Sequence, residues 1–461
     1  MTSSLRAAPA LVATFGDVLL RHQAAIRRLQ WAMVALYVVL LTVPLLLPLP
    51  THTDYAWNNV VRFAQFVFWG VWWPFIILAT ALVGRFWCGI LCPEGALSEF
   101  ASQHGAGRAI PGWMKWSGWP VVSFVSTTVY GQLTSIYQYP KPAALLLGGS
   151  TFAAIVIGAR YGKAKRVWCR FLCPVNGVFA TVSKIAPLHF RVDPDSWRPG
   201  NQQQGRSSAV NCAPLIPIKT MQGAAACHMC GRCSGYRGAI RLSWRNPASD
   251  IVHGSGRLAT MGETVLIVPV LLGLVPAALH WSDSGLFQMI RLWLVERCLD
   301  LHLIWPLSLR LPWWVLTDYP LENDVMTLVD AVALLILLSV SVVAATIVFG
   351  IPLAACVRIL RMRERPLHHL TQALIPLAAA CLFSGLLSLT VSQLRSDGVV
   401  IPCLDLFRGS LVLAAAAWSA VLVLRIGALY NGRLAARMGA TFIMFLPIAA
   451  FSIIWIVAFL G

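Results

Sequence analysis

Long apolar runs alternate with short polar segments along most of the chain. Apolar runs of 18 or more residues with few charges are typical of membrane-spanning helices. The third and fourth runs contain Gly, Pro, Ser and Thr, which are tolerated where neighbouring helices satisfy the backbone. The pattern predicts nine spans, approximately Leu29–Leu49, Val60–Val83, Trp116–Tyr137, Ala143–Ala159, Thr264–Trp281, Val325–Val348, Leu370–Leu394, Ser410–Tyr430 and Gly439–Leu460.

We therefore predict an all-α polytopic membrane protein with about nine transmembrane helices. Its expected segments are a cytoplasmic N-terminal segment at 1–28, a transmembrane module at 29–159, a cytoplasmic Cys-rich insertion at 160–263 and a C-terminal transmembrane bundle at 264–461. Hydrophobic residues make up 58% of the chain and charged residues 12%, a composition that suits a lipid bilayer.

The distribution of Lys and Arg predicts the orientation in the membrane. Fifteen of these residues lie in 160–263, whereas the loop at 51–59 has none. Because short cytoplasmic loops carry an excess of basic residues, we expect the N-terminus and the cysteine motifs on the cytoplasmic side of the cell (inner) membrane and the C-terminus outside. The same bias accounts for the net charge of +18 without nucleic acid as a partner.

One short motif occurs twice, and each copy follows an apolar run. The first copy reads W-C-G-I-L-C-P at 87–93, and the second reads W-C-R-F-L-C-P at 168–174, 81 residues later. Residues four apart share one face of a helix, so each copy can present two sulfurs in one direction. Two such hairpins, packed about a pseudo-twofold axis, would bring together four thiols, those of Cys88, Cys92, Cys169 and Cys173.

A third cysteine group lies downstream in the polar segment. Cys227, Cys230 and Cys233 have the C-x2-C-x2-C spacing of the first three ligands in a bacterial ferredoxin run. Arg237 stands where the fourth cysteine of such a run would be. A remote cysteine would then complete the site, and Cys212 is the natural candidate.

We expect these eight cysteines to form two sites of four thiolates, the coordination number of a [4Fe–4S] cluster or of a tetrahedral metal. An exchange of ligands is an alternative, in which Cys212 stays free and one C-x3-C-P thiolate completes the second cluster. Zinc is an alternative at the second site. Copper, a redox-active dithiol or simply buried cysteines are alternatives at the paired motifs.

The other candidate residues lack motif spacing. Cys356 and Cys381 are interpreted as packing residues, as are Cys298 and Cys403, for which a disulfide on the outer side is the alternative. Asp330 is an acid within a predicted span, which makes it a functional candidate by default, unless its place near the interface leaves it solvated. The sequence has no C-x-x-C-H and no P-loop, which argues against c-type haem and bound nucleotide.

The chain resembles the membrane-bound ferredoxin-type electron-transfer proteins of the NapH, NosR and CcoG kind. The resemblance covers roughly Leu29 to Leu242, although those proteins usually carry two complete ferredoxin runs and this chain has one incomplete run. It implies one or two [4Fe–4S] clusters and electron transfer at the membrane, with a link to quinol. It rests on Cys88, Cys92, Pro93, Cys169, Cys173, Pro174, Cys227, Cys230 and Cys233.

We therefore expect a membrane-bound iron–sulfur electron-transfer protein. Its expected partners are a quinone or cytoplasmic donor and a redox protein. A copper or other metal reductase, or an assembly factor for a respiratory enzyme, is an alternative that uses the same ligands. A transporter or membrane sensor with a structural or sensory cluster is an alternative of another class, because five predicted spans follow the cysteines.

Overall fold

The computed structural model describes residues 4–51, 53–197, 210–221, 223–362 and 366–460. Helices predominate in these ranges, and the predicted all-α polytopic membrane fold is confirmed. The described residues include eight helices that are long and apolar enough to cross a membrane. They are Gln23–Leu46, Val60–Val83, Pro140–Tyr161, Met261–His280, Leu328–Ile359, Leu367–Ser396, Leu404–Tyr430 and Leu434–Val457.

The third predicted span, Trp116–Tyr137, forms a helix that is shorter than expected. The helix covers Trp119–Leu133 and has 15 residues. At 1.5 Å per residue it is roughly 22 Å long, less than the hydrocarbon thickness of about 30 Å. Ser135, with a φ of 48° in the left-handed region, lies just beyond its end, where a regular helix cannot continue.

Shorter elements connect the long helices. The strands form two small antiparallel pairs: β1 (Leu188–Val192) pairs with β2 (Ile240–Trp244), and β3 (Asp318–Tyr319) pairs with β4 (Asp324–Val325). The shorter α-helices are Ser4–Arg21, Pro93–Gln103, Val167–Phe171, Asn176–Val182, Pro247–Val252, Gly285–Asp300 and Trp305–Ser308.

The chain divides into two compact units. The first unit is drawn from Met1–Leu40, Phe75–Pro120 and Ser150–Glu263, and it contains all eight motif cysteines. The second unit is drawn from Leu41–Pro74, Val121–Gly149 and Thr264–Gly461.

The first unit has an apolar core beside the third cysteine group. Phe190 of β1 and Leu242 of β2 are paired across the strands and are buried with Cys227 and Met229. The helix Ser4–Arg21 packs against β2. The third cysteine group is therefore held by a small sheet and an N-terminal helix as well as by its own loop.

In the second unit, the last three long helices each pack against the next one in the chain. Leu404–Tyr430 packs against Leu367–Ser396 and against the last helix, Leu434–Leu460. Asp330, an acid that the sequence marks as a functional candidate, forms a capping box with Thr327 at the start of Leu328–Ile359. Asp330 also pairs with Arg291. These contacts give Asp330 a structural role, because a capping carboxylate satisfies backbone N–H groups at the start of a helix.

Candidate metal centre

The first motif copy forms a wide turn that leads directly into a helix. The Cys92 N–H donates to the Trp87 carbonyl over 2.9 Å, five residues back. Cys92 has an extended backbone and is the N-cap of the helix Pro93–Gln103, where its Sγ accepts a hydrogen bond from the Gly95 N–H at 3.4 Å. Pro93 is the first residue of this helix, a position where the missing N–H of proline costs little.

The second copy repeats the same local hydrogen bond. The Cys173 N–H donates to the Trp168 carbonyl over 3.0 Å, again five residues back. The short helix Val167–Phe171 precedes Cys173, and the helix Asn176–Val182 follows it. Each W-C-x-x-L-C-P sequence therefore forms a turn closed by its tryptophan and its second cysteine.

The structure brings the four cysteines of the two copies together. Burial raises the pKa of Cys92 well above its ordinary value, and the nearby thiols of Cys169 and Cys88 raise it further. Burial also raises the pKa of Cys173, with added contributions from Glu94, Cys169, Cys92 and Cys88. A thiol affects the pKa of another only when the two are close. We refer to Cys88, Cys92, Cys169 and Cys173 as the first thiol set.

The other four motif cysteines also lie near one another. Burial raises the pKa of Cys227 to about 12, and the thiols of Cys230 and Cys212 contribute to this rise. Burial likewise raises the pKa of Cys233, with contributions from Cys227, Cys230 and Cys212. Cys212 thus lies close to the three cysteines of the ferredoxin-like run. We refer to these four residues as the second thiol set.

The two thiol sets adjoin each other through backbone contacts. A Cβ atom on Gly89, in the first copy, would lie 2.0 Å from the His228 carbonyl oxygen and 3.0 Å from the Cys230 nitrogen. Two glutamines of the N-terminal segment support this contact. The side-chain amide of Gln30 donates to the Gly89 carbonyl at 2.9 Å, and that of Gln23 donates to the Cys230 carbonyl at 2.9 Å.

An ion-pair network also connects the three cysteine groups. Glu99, on the helix after the first copy, accepts from Arg166 Nε at 2.8 Å and from Arg232 Nη1 at 2.6 Å. Arg166 also donates to the Cys88 carbonyl. Burial by itself would raise the pKa of Glu99, but the two guanidinium groups lower it overall. Glu99 is therefore held as a carboxylate between the two arginines.

The donor set fits an iron–sulfur cluster by its chemistry. Each set offers four cysteines, and backbone N–H groups hydrogen-bond to sulfurs in both sets, an interaction that tunes the potential of such clusters. These hydrogen bonds join the Gly95 N–H to Cys92, the Met229 N–H to Cys227 and the Ile216 N–H to Cys212.

Within the described ranges, no three Cys, His, Asp or Glu side chains are arranged to hold a single metal ion.

The remaining cysteines belong to the second unit. Cys356 and Cys381 are buried in long helices of the second unit, Cys298 is half-buried on Gly285–Asp300, and Cys403 is exposed. All four are free thiols, so the alternative of a Cys298–Cys403 disulfide is not formed in this structure.

Sequence analysis missed two buried arginines at the site. Arg85 and Arg166 lie among basic residues that the positive-inside bias alone would explain. Each lies three residues before the first cysteine of its copy, and the two are 81 residues apart, so the repeat extends to R-x-W-C-x-x-L-C-P. This longer repeat was a signal that could have identified them.

Comparison with known proteins supports the first thiol set. Residues 65–111 and 145–193 match a family model described as a 4Fe-4S binding domain. Each matched segment contains one copy of the motif, so all four cysteines of the first set fall within the match. The second thiol set lies outside the matched residues.

One relative is a protein of Escherichia coli (strain K12) named "Putative electron transport protein YccM". It is 21% identical to this chain over 238 residues, which cover 46% of this chain and 64% of the relative, less than two thirds of its length. No solved structure matches the chain. Together with the geometry, these similarities support an iron–sulfur cluster in the part of this membrane protein that contains both motif copies.

Proposed function

We propose that this multi-pass membrane protein transfers electrons through two [4Fe–4S] clusters. The first thiol set would hold one cluster, and the second thiol set would hold the other. The observation that carries the proposal is the close packing of the three cysteine motifs in one compact unit. Gly89 of the first copy lies against the backbone of His228 and Cys230, and Arg166 at the second copy donates to the Cys88 carbonyl of the first. The match of both motif segments to a 4Fe-4S binding domain gives independent support.

The protein's own groups would keep the clusters bound and protected from water. Such a cluster, when bound, accepts and donates single electrons. Binding of iron requires deprotonated thiols, so the raised pKa values of the buried cysteines describe the metal-free thiols. The backbone N–H groups of Gly95, Ile216 and Met229 would donate to the ligating sulfurs of Cys92, Cys212 and Cys227. Buried aromatic residues at each copy, Trp87 and Trp168, limit the access of solvent.

Proximity of the two thiol sets supports electron transfer between them. The contact of Gly89 with the backbone of His228 and Cys230 places the first copy directly beside the second set. We propose that a redox protein exchanges electrons with the second set and that a quinone is the partner within the membrane. The name of the Escherichia coli relative supports the electron-transport role. The quinone stays a prediction from the sequence resemblance.

The test is purification of the full-length protein without oxygen, followed by iron and sulfide analysis and by EPR of the reduced sample. Two [4Fe–4S] clusters predict about eight iron and about eight sulfide per chain. A protein that binds zinc or copper in place of iron and sulfide would contradict the proposal.

Serine substitutions test how the ligands divide. We expect Cys212→Ser to lower the iron content by about half and to leave the EPR signal of the first set intact, because each cluster takes four cysteines. We expect Cys92→Ser to remove the other signal. Cys298→Ser is the matched control and should keep all of the iron, since Cys298 has no motif spacing and belongs to the second unit. If Cys212→Ser keeps its full iron content and both signals, ligand exchange between the sites becomes the better assignment.

A further inference from the structure

Two buried arginines occupy equivalent positions in the two motif copies. Arg85 and Arg166 have relative exposures of 3% and 2%, and each lies three residues before the first cysteine of its copy. A guanidinium stays charged at any physiological pH, and burying an unpaired charge is costly. The surroundings of these two side chains must therefore compensate two positive charges in the interior of the first unit.

Each arginine reaches across to the other copy. Arg85 Nη2 donates to Asn176 Oδ1 at 2.7 Å, and Arg166 Nη1 lies 3.0 Å from the position of a Cβ atom on Gly95. Gly95 and Asn176 each lie three residues after the second cysteine of their copy and are also 81 residues apart. The arginines and the residues that they contact are therefore related by the same offset of 81 residues as the two motif copies. A pseudo-twofold relation between the copies requires this.

Both arginines also face the thiols. Arg85 Nη2 lies 4.0 Å from Cys88 Sγ in the first set, and Nη1 donates at 3.0 Å to the carbonyl of Ala225, two residues before Cys227 of the second set. Burial lowers the pKa of Arg166, but Glu99 and the thiolates of Cys169 and Cys230 raise it overall. Arg166 donates to the Cys88 carbonyl of the first set and shares Glu99 with Arg232, which lies between Cys230 and Cys233 of the second set. Each guanidinium is thus connected to both sets.

Each guanidinium has at least one N–H donor that makes no hydrogen bond to a described residue. Arg85 Nε and Arg166 Nη2 are buried and make no hydrogen bond to any described residue. A buried guanidinium donor without a partner destabilises the folded protein, because the donor has lost its hydrogen bond to water. An anionic, thiolate-bound cluster on either side would supply the compensating negative charge.

We propose that Arg85 and Arg166 are paired positioning residues between the two clusters and that they raise the reduction potential of both. This inference rests on the proposed function. Reduction adds one negative charge to a cluster, and a buried positive charge nearby favours the more negative state. Because each arginine faces both sets, each should influence both clusters, and the pair would keep the potentials of the two clusters close enough for electron exchange.

The experiment is a redox titration of the full-length, cluster-loaded protein in detergent, followed by EPR. We expect Arg85→Gln and Arg166→Gln to keep their iron and to shift the midpoint potentials of both EPR signals to more negative values. We expect Arg85→Lys and Arg166→Lys to shift both signals less, because lysine keeps the positive charge but lacks the planar fork of donors. Arg160→Gln is the charge-matched control, since Arg160 is exposed in the same unit, and it should leave both midpoints unchanged.

The outcomes separate this inference from the proposed function. Wild-type protein without iron and sulfide would overturn the proposed function itself. Wild-type protein with two signals, together with glutamine variants whose midpoints are unchanged, would overturn the role of the arginines alone. A shift confined to one signal would overturn their place between the clusters. If a glutamine variant loses its iron, the matching methionine variant, which is also neutral, is titrated in its place, and midpoints equal to those of Arg160→Gln would overturn the role of that arginine.

Discussion

Gly89 lies between the two cysteines of the first copy and touches the backbone of the second thiol set. A methyl group there would meet the His228 carbonyl oxygen at 2.0 Å, well inside any normal contact distance. The obstacle is backbone, which cannot rotate away as a flexible side chain could. The approach of the two sets therefore depends on the absence of a single side chain.

Gly89→Ala should separate the two sets and weaken the second one. We expect loss of iron at the second site, with the EPR signal of the first site largely kept, and a destabilisation of about 1–3 kcal/mol, as for overpacked interiors. The measurements are iron content, EPR and thermal unfolding in detergent. Gly112→Ala is the control, because a Cβ atom at Gly112 meets nothing within 4 Å. Full iron and wild-type stability in Gly89→Ala would contradict the proposed packing.

At the scale of elements, the first unit is held together by ion pairs between distant segments. Lys184 is buried in the short turn Ser183–Ile185, and its Nζ lies 2.8 Å from Glu263 Oε1. Glu263 lies in the first turn of Met261–His280 and also accepts from the Thr260 N–H. One carboxylate therefore caps this helix and neutralises a buried lysine.

Glu263→Gln should remove the ion pair with Lys184 and keep the helix cap, because glutamine can still serve in a capping box. The change in stability then reports the ion pair alone. We expect destabilisation of at most about 3 kcal/mol, the lower limit for breaking a fully buried pair, since the Glu263 side chain keeps 27% exposure. The measurement is thermal unfolding in detergent, and the double variant Lys184→Met/Glu263→Gln should recover part of the loss. Arg297→Gln removes an exposed pair with Asp300 and should cost less than about 1 kcal/mol. Equal effects for Glu263→Gln and Arg297→Gln would argue against a buried pair.

At the scale of the whole molecule, the neighbouring positions of the two motif copies restrict the path of the chain. Arg85 contacts Asn176 directly, so both copies lie on one side of the membrane. The chain must therefore cross the membrane an even number of times between them. Pro140–Tyr161 is one long crossing, and the short helix Trp119–Leu133 with its flanking residues is the candidate for the other.

Reporters inserted into the full chain test this path. A reporter that is active only outside the cytoplasm should be active after Gln138 and inactive after Gly107 and after Gln203, which lies outside the described residues. The physical reason is the excess of Lys and Arg in 160–263, because short segments rich in these residues are usually retained in the cytoplasm. A reporter after Asn58 is the positive control, because its loop has no Lys or Arg. An inactive reporter after Gln138 would contradict the crossing by Trp119–Leu133, and an active one after Gln203 would place the cysteines outside.

The sequence by itself determined the properties that depend on residues close together in the chain. Eight of the nine predicted spans correspond to long apolar helices, because a membrane helix satisfies its own backbone hydrogen bonds and needs only a sufficient apolar length. The spacing of the cysteines within each motif likewise predicted which thiols would act together, and that assignment stays a prediction. The short third helix differed because polar residues and a left-handed Ser135 end it early.

Only the tertiary structure decided which of these local groups meet. Gln23 and Cys230 are 207 residues apart in the chain, yet they are joined by a hydrogen bond. Arg85 likewise donates to Asn176, which lies 91 residues further along the chain. The burial of Arg85 and Arg166 could not follow from composition, because basic residues near a membrane are usually solvated. Contacts of this kind depend on how segments fold back on one another, and the cost of burying a charge is set by the groups brought around it.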